Sequence, residues 1–187
     1  LSVCDRNLEQ IQPDQVTTTD NLLLEVCMAA KYEGESLTRQ HGEHELTNPD
    51  TKSQLCTVLA RSFADIGDIV RGRDLYRGDN REKTKLENKL KVIFGKIYKD
   101  LTEPGVKKYY KNDDKGTKNY YKLREDWWNA NRATVWKALT CDASDNAKYF
   151  RQTCGGEKNP SLTSKQCRCP KGDQVPTYFD YVPQFLR

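Results

Sequence analysis

The stretch REDWWNANRATVWKALTC, from Arg124 to Cys141, contains all three tryptophans of the chain within ten residues. At 100° per residue, this stretch forms a helix with two apolar strips on nearly opposite sides. One strip consists of Leu123, Trp127, Ala130, Thr134, Ala138 and Cys141, and the other of Trp128, Val135 and Leu139. A helix on the surface of a domain needs only one such strip. The sequence therefore predicts that this helix is the central member of a helical bundle.

The composition describes a polar chain that nevertheless folds. Of its 187 residues 31% are charged, and 31 Lys and Arg against 27 Asp and Glu leave a net charge of +4. The mean hydropathy of -0.90 would by itself be compatible with disorder. Three tryptophans, ten tyrosines and several helical periodicities favour a folded domain with long solvated loops. No stretch approaches the roughly 18 apolar residues that cross a bilayer, so we expect any membrane anchor to lie outside the chain.

The cysteine pattern favours extracellular disulfides over a metal site. No Cys-x-x-Cys pair occurs, and the two histidines, His41 and His44, are far from the cysteines in sequence. Because seven cysteines are present, either one thiol is free or its partner lies outside the chain. Cys4 is the candidate for pairing outside, since the chain opens without an initiator Met or an apolar signal segment. We therefore expect the chain to be a fragment of a larger ectodomain.

Three further helices are predicted from apolar spacing. The first begins after Thr17–Thr19 and runs through Ala30, with a loop from Arg39 to Asp50. The second runs from about Thr51 to Arg71. The third has the stripe Leu86, Leu90, Ile93, Phe94, Ile97 and Leu101 and ends at Pro104, before a basic connection from Lys107 to Tyr121. Gly- and Pro-rich loops follow Cys141, so the predicted fold is mainly α, a disulfide-stabilised helical bundle with long loops.

Several stretches together resemble a known family. They are VCMAAKYE at residues 26–33, ARSFADIGDIVRGRDLY at 60–76, VPTYFDYVPQFLR at 175–187, and the tryptophan helix. In their residues and in their order along the chain, these stretches resemble the Duffy-binding-like domains of malaria parasites. They are most similar to the alpha class of the Plasmodium falciparum erythrocyte membrane protein variant surface antigens.

The resemblance implies both a fold and a role. Residues 1–18 would end a first, irregular subdomain, and residues 19–187 would form the helical second subdomain, cut before a third. The implied role is a non-enzymatic adhesion module without cofactor on the extracellular face of the infected erythrocyte membrane, acting in rosetting or cytoadhesion. Implied partners are a host red-cell or endothelial receptor, heparan sulphate or heparin, blood-group sugars and complement receptor.

The family pattern also bears on the cysteines. The cysteine that corresponds to Cys4 would pair upstream of this chain. Six cysteines remain, and they allow fifteen connectivities. From these we pair Cys56 with Cys169, Cys27 with Cys141 and Cys154 with Cys167.

A basic segment is the candidate binding surface. From Glu82 to Arg124, thirteen Lys and Arg stand against six Asp and Glu. On the third helix Lys85, Lys89 and Lys96 lie within about 40° of one another and form a row about 16 Å long. With Lys107, Lys108 and Lys111, this row could neutralise successive sulphates of a glycosaminoglycan, in a binding that weakens with salt. The tyrosines among these lysines, Tyr109, Tyr110, Tyr120 and Tyr121, could stack on sugar rings.

Other interpretations compete with glycan binding. The lysines can form an ordinary solvated helix face, and the tyrosines can pack within loops. The segment can also be a structural or antigenically variable spacer, with receptor contacts in neighbouring subdomains. Nucleic-acid binding is disfavoured by the disulfides, and no Ser/His/Asp arrangement supports catalysis. We expect surface roles for His41, His44, Asp65, Asp68 and Asp74, and packing for Trp136.

Overall fold

The computed structural model of the chain describes residues 6–47, 54–74, 81–114, 117–172 and 174–187. The pairing expected for Cys4 therefore lies outside the described residues. Six α-helices occur in them: α1 (Arg6–Glu9), α2 (Thr19–Thr47), α3 (Leu55–Arg71), α4 (Arg81–Asp100), α5 (Pro104–Asp114) and α6 (Tyr121–Leu139). Two short 3-10 helices, Phe179–Tyr181 and Gln184–Leu186, follow a long loop region. Within these ranges the only β pairing is an isolated bridge between Cys154 and Ser161, so the predicted mainly helical fold is confirmed.

The tryptophan helix α6 lies at the centre of the bundle, as predicted. It contacts α2, α3, α4 and α5. Trp127 meets Phe94 of α4 edge to face, with ring centroids 6.2 Å apart. Trp128 and Trp136 contact Phe63 of α3 at 5.1 and 5.2 Å. All three indoles are buried, so the helix uses both strips for packing, and the packing role expected for Trp136 is confirmed.

Two helix boundaries differ from the sequence prediction. Helix α2 continues to Thr47, so the predicted loop from Arg39 is wrong for its described part. A glycine such as Gly42 lowers the stability of a helix by only about 1 kcal/mol relative to alanine. His41 and Glu45 are one helical turn apart, and their side-chain Nδ1 and Oε1 atoms lie 3.5 Å from each other. Pro104 begins α5 instead of ending α4, which stops at Asp100. Proline suits the first turn of a helix because its missing N–H would have no partner there.

Helices α2 and α6 approach closely at one glycine. A Cβ atom on Gly34 would lie 1.9 Å from the carbonyl oxygen of Leu139. Nearby, the buried Ser62 hydroxyl of α3 donates a hydrogen bond of 2.8 Å to the buried Glu33 carboxylate of α2. Gly34 thus weakens α2 as an isolated helix but permits its contact with α6.

We predict that Gly34→Ala lowers the free energy of unfolding by about 2 kcal/mol or more, because two backbones must separate to admit the methyl group. The matched control is Gly42→Ala in the same helix, where an added Cβ meets nothing within 4 Å. That change should stabilise the protein by roughly 0.5–1 kcal/mol through helix propensity. Urea denaturation measures both, and equal effects would contradict the close approach.

Two disulfides close the loop region, and they correct the expected pairings. Cys56 bonds to Cys167, and Cys154 bonds to Cys169. The pairs Cys56 with Cys169 and Cys154 with Cys167 are therefore wrong. The Trp136 indole donates to the carbonyl of Cys167 at 3.1 Å, which holds Cys167 at the core beside Cys56.

The pairing of Cys27 with Cys141 is also wrong in this structure, because both thiols are free. The Cys141 thiol donates a hydrogen bond to the neighbouring Asp142 carboxylate at 3.3 Å. Burial raises the pKa of the Cys27 thiol from 9.0 to about 11, and it also raises the pKa of Cys141.

We predict slow alkylation of Cys27 in the folded protein. At pH 8 a pKa of about 11 leaves a thiolate fraction about 100-fold smaller than a pKa of 9. Iodoacetamide labelling without reductant, followed by peptide mass mapping, should show Cys27 modified slowly in buffer and rapidly in urea. A Cys27 that stays unmodified in urea would contradict the free thiol and restore a disulfide.

The C-terminal segment is tied to the bundle by the buried carboxylate of Asp180. This carboxylate accepts hydrogen bonds from the Trp128 indole at 2.9 Å and from two guanidinium nitrogens of Arg132 at 2.8 Å. The backbone carbonyl of Asp180 accepts from the fully buried Arg71 of α3. One residue therefore joins the segment to both α3 and α6.

A second buried arginine joins three helices. Arg124 of α6 donates to the backbone carbonyls of Val70 at 2.7 Å and Ile69 at 3.2 Å, near the end of α3. It also forms two hydrogen bonds to the Glu87 carboxylate of α4, at 2.8 and 3.0 Å. The left-handed backbone of Gly72, with φ of 73°, turns the chain around this guanidinium. The backbone N–H of Gly72 also donates to the Ile69 carbonyl, at 3.1 Å, so the carbonyl that Arg124 satisfies at the end of α3 is mainly that of Val70.

We predict that Asp180→Asn lowers the free energy of unfolding by about 3 kcal/mol, because it leaves the Arg132 guanidinium without its buried carboxylate. The matched control is Asp145→Asn, which removes an exposed carboxylate 3.5 Å from Lys165. It should change stability by less than about 0.5 kcal/mol. Chemical denaturation compares the two, and a similar small loss in both would contradict the role of Asp180.

Candidate receptor-binding surface

The lysine row on α4 is only partly available to a ligand. Lys89 donates a hydrogen bond to the backbone carbonyl of Glu9. Lys96 donates to the carbonyl of Pro13 at 2.5 Å and lies 3.4 Å from the Asp14 carboxylate. These two ammonium groups hold residues 9–14 against α4.

The segment that covers these lysines is part of the core. Its side chains Leu8, Ile11 and Val16 are buried. An anionic ligand at Lys89 or Lys96 would have to replace their hydrogen bonds to residues 9–14. That segment is held in the core by the buried side chains at its two ends and within it. Lys85, the third member of the row, is exposed.

Helix α5 presents the more open part of the basic segment. The Tyr110 hydroxyl donates to the Asp126 carboxylate of α6 at 3.0 Å and so holds α5 on the bundle. Burial and the adjacent Asp126 raise the pKa of Tyr110 to about 12, which keeps this hydroxyl a donor. At 100° per residue Lys108 lies about 160° from Tyr110 and faces away from the bundle. Lys108 and Lys111 are both exposed.

An aromatic ring accompanies these lysines. Tyr109 is exposed, and the Lys122 ammonium lies 3.6 Å from the centre of its ring, a cation–π contact. We call Lys108, Tyr109, Lys111 and Lys122 the α5 surface. Lys107 is less open than its neighbours, because its ammonium donates to the backbone carbonyl of Lys99 at 3.0 Å.

The other tyrosines of the segment divide between packing and exposure. Tyr120 is half-buried and stacks on Tyr98, with ring centroids 5.6 Å apart. Tyr121 is exposed at the start of α6. The structure therefore leaves Tyr109 and Tyr121 as the accessible rings of the four tyrosines, since Tyr110 and Tyr120 pack internally.

The remaining candidates are surface groups or structural groups. His41 and His44 lie on α2, and in the described ranges no group of three or more His, Cys, Asp or Glu is placed to hold a metal ion. Asp68 is buried and contacts Arg71 and Arg187, so the surface role expected for it is wrong. Within the same ranges no helix is both long and apolar enough to cross a membrane.

Sequence analysis missed a cavity beside α6 and the half-buried arginine in its wall. Asn129 and Arg132 of α6, Lys171 of the loop region and Tyr178 near the C-terminus line this cavity together. They are spread over about fifty positions, and no local pattern links them. The pairing of Cys154 with Cys169 would have indicated which loop faces α6.

Comparison with known proteins identifies the family. The model of the Duffy binding domain family matches residues 1–187. The chain is a member of the Duffy binding domain family. This confirms the resemblance drawn from the quoted stretches. A comparison with curated proteins gives no match.

A solved structure supports the same assignment. This Duffy binding domain is similar to the ICAM-1-binding PfEMP1 IT4var13 DBLbeta domain, with 34% identity and a TM-score of 0.69. The match covers 99% of this chain and 39% of that one, so the chain spans about two fifths of its relative's length. The helical Duffy-binding-like fold is thereby confirmed. Membership of the alpha class and the division at residue 18 stay predictions.

Three of the four stretches that indicated the family meet in the core of this Duffy binding domain. Arg71 comes from the stretch at 60–76, Trp128 and Arg132 from the tryptophan helix, and Asp180 from the stretch at 175–187. All four join the hydrogen bonds around Asp180. These three stretches therefore describe how the domain is assembled.

Proposed function

We propose that this Duffy binding domain is a non-enzymatic adhesion module that binds a host receptor from the surface of an infected red cell. Its ligands would include sulphated glycans of the heparan sulphate type, bound at the α5 surface. The observation that carries the glycan part is the outward pair Lys108 and Lys111 beside the exposed Tyr109 ring. Family membership supports the receptor-binding part.

The physical basis is polyelectrolyte attraction. Fixed sulphates on a glycan hold condensed counterions, and lysine ammonium groups that replace them release those ions. Such binding is strong at low ionic strength and weakens as added salt screens the charges. Tyr109 would add an apolar contact to a sugar ring, which salt does not weaken.

Protein receptors belong to the same proposal. The related DBLbeta domain is described as ICAM-1-binding. A host adhesion protein on red cells or endothelium is therefore a reasonable partner class for this domain, along with blood-group sugars and complement receptor. In that setting the α5 surface would supply the glycan contact of rosetting or cytoadhesion, and a second surface the protein contact.

A structural spacer is the second candidate function. It is favoured by Lys89 and Lys96, whose ammonium groups bind backbone carbonyls of residues 9–14 and so support the fold. On this account the basic segment serves mainly internal packing, and receptor contacts lie in neighbouring subdomains. The two candidates predict different results when the exposed lysines of α5 are removed.

We predict that the double change Lys108→Gln and Lys111→Gln lowers the salt concentration needed to elute the domain from heparin. The matched control is Lys137→Gln with Lys148→Gln, which removes the same charge from exposed positions elsewhere. Each lysine contact adds about 1 to the slope of log affinity for heparin against log salt concentration. The α5 variant should therefore lose about two from this slope, and the control should lose about none. Equal elution of both variants would favour the spacer.

A further inference from the structure

A half-open cavity of about 670 Å³ lies between α6, the loop closed by Cys154 and Cys169, and the segment before Phe179. This volume falls within the range of roughly 300–1,000 Å³ that small-ligand sites have. The cavity lies beside the Asp180 network and uses none of the α5 surface. The lining combines residues of α6, such as Asn129 and Arg132, with residues of the loop region, such as Cys169, Lys171 and Gln174, and with Tyr178.

The walls of the cavity are held in place before any ligand enters. The disulfide of Cys169 forms part of the lining, and its partner Cys154 pairs with Ser161 through two backbone hydrogen bonds of 3.1 and 2.7 Å. The Gln174 side chain accepts from the backbone N–H of Gly155 at 3.1 Å and donates to the carbonyl of Thr153 at 3.0 Å. A preformed site loses less entropy on binding than one that must order its loops.

The polar groups left for a ligand are mainly donors. The carbonyl oxygen of Asn129 is used by the Tyr181 hydroxyl at 2.7 Å, which leaves the Asn129 amide N–H groups. Arg132 uses Nε and Nη2 on Asp180 and on the carbonyl of Thr177, which leaves Nη1. Lys171 adds an exposed ammonium group. Among the described lining residues, none is acidic.

This balance of charge and donors favours an oxyanion. Burial lowers the pKa of Arg132, but hydrogen bonds and charge from Asp180 outweigh it and raise the pKa, so the guanidinium stays a donor. Because Asp180 compensates the charge of Arg132, Lys171 contributes the net positive charge of the lining. A sugar ring presents hydroxyls that must both donate and accept. The amide of Gln174, which could serve such hydroxyls, is already used on both sides by the loop. A carboxylate needs only donors. The Tyr178 ring centre lies 5.6 Å from the guanidinium carbon of Arg132, and 54% of the surface of Tyr178 is exposed, which leaves part of the ring for the methylene groups that carry the carboxylate.

We propose that this cavity binds a glutamate or aspartate side chain of a protein receptor. Lys171 supplies the positive charge, Nη1 of Arg132 and the Asn129 amide donate hydrogen bonds, and the Tyr178 ring packs against the aliphatic part. The inference rests on the proposed receptor-binding function and adds a protein contact separate from the glycan contact. It gives the domain two surfaces of different chemistry.

Heteronuclear NMR of the whole chain tests this site with single-residue probes. N-acetyl-glutamic acid N-methylamide is compared with its glutamine analogue, which has the same shape without the charge. The glutamate probe should shift the Asn129 side-chain amide and the backbone amides of Gly155 and Lys171, with affinity about fivefold higher than that of the glutamine probe. Equal shifts from the glutamine probe would overturn the proposal.

Variants locate the binding without disturbing the core. Lys171→Gln and Tyr178→Ala should each weaken the glutamate probe by about fivefold, because each removes one contact and neither takes part in the Asp180 hydrogen bonds. Lys158→Gln removes an exposed charge from the same loop outside the lining and should leave the affinity unchanged. Undiminished binding to Lys171→Gln would overturn the proposal. Glucuronic acid that shifts the same resonances more strongly than the glutamate probe would overturn it in favour of a sugar.

The two proposals fail separately. Lys171→Gln should elute from heparin with the unchanged protein, since the cavity is not part of the α5 surface. If the α5 variant also elutes unchanged while the glutamate probe still binds, only the glycan proposal is lost. If heparin elution depends on the α5 surface while the glutamate probe does not bind, only the carboxylate site is lost.

Discussion

The Asp180 carboxylate is the constraint on which the arrangement of this domain depends. It is buried between α3 and α6, and its oxygens are shared by the Trp128 indole and the Arg132 guanidinium. An ionised carboxylate in such a place is stable only if hydrogen bonds replace the water it has lost. The donors on α6 must therefore face the C-terminal segment, which sets the position of that segment on the bundle.

Buried charge contributes mainly to the specificity of the assembly. A buried ion pair often adds little net stability over an apolar pair, yet removal of one member is costly. Arg124 illustrates the consequence, because its guanidinium binds carbonyls of α3 and the Glu87 carboxylate of α4 from a position on α6. Any shift of one helix along another would leave one of these charged groups without partners. Phe63 and the tryptophans pack at the centre of the apolar core, and the arginines select one register for it.

Hydrogen bonds within the fold also decide which lysines are exposed on the surface. Lysines that could have formed an open row on α4 are used where backbone carbonyls of residues 9–14 need donors. On α5, Lys108 and Lys111 are exposed beside Tyr109. At the cavity, Asp180 orients Arg132 and leaves one guanidinium nitrogen outside its hydrogen bonds. Whether a lysine or arginine serves the fold or is left for a ligand thus depends on the carbonyls and carboxylates near it.

The sequence by itself determined the helical class, the central place of the tryptophan helix and the family. These follow from local spacing, since apolar residues at helical intervals on two sides of α6 require partners on both sides. The structure showed that α2 continues to Thr47, and tertiary packing alone decided which cysteines pair and which lysines stay exposed. The last two depend on groups far apart in the chain: Cys167 lies beside Cys56, and Glu9 lies over Lys89. Periodicity reports which face of a helix is buried, whereas partners are chosen by the packing of whole helices, and no local pattern records that choice.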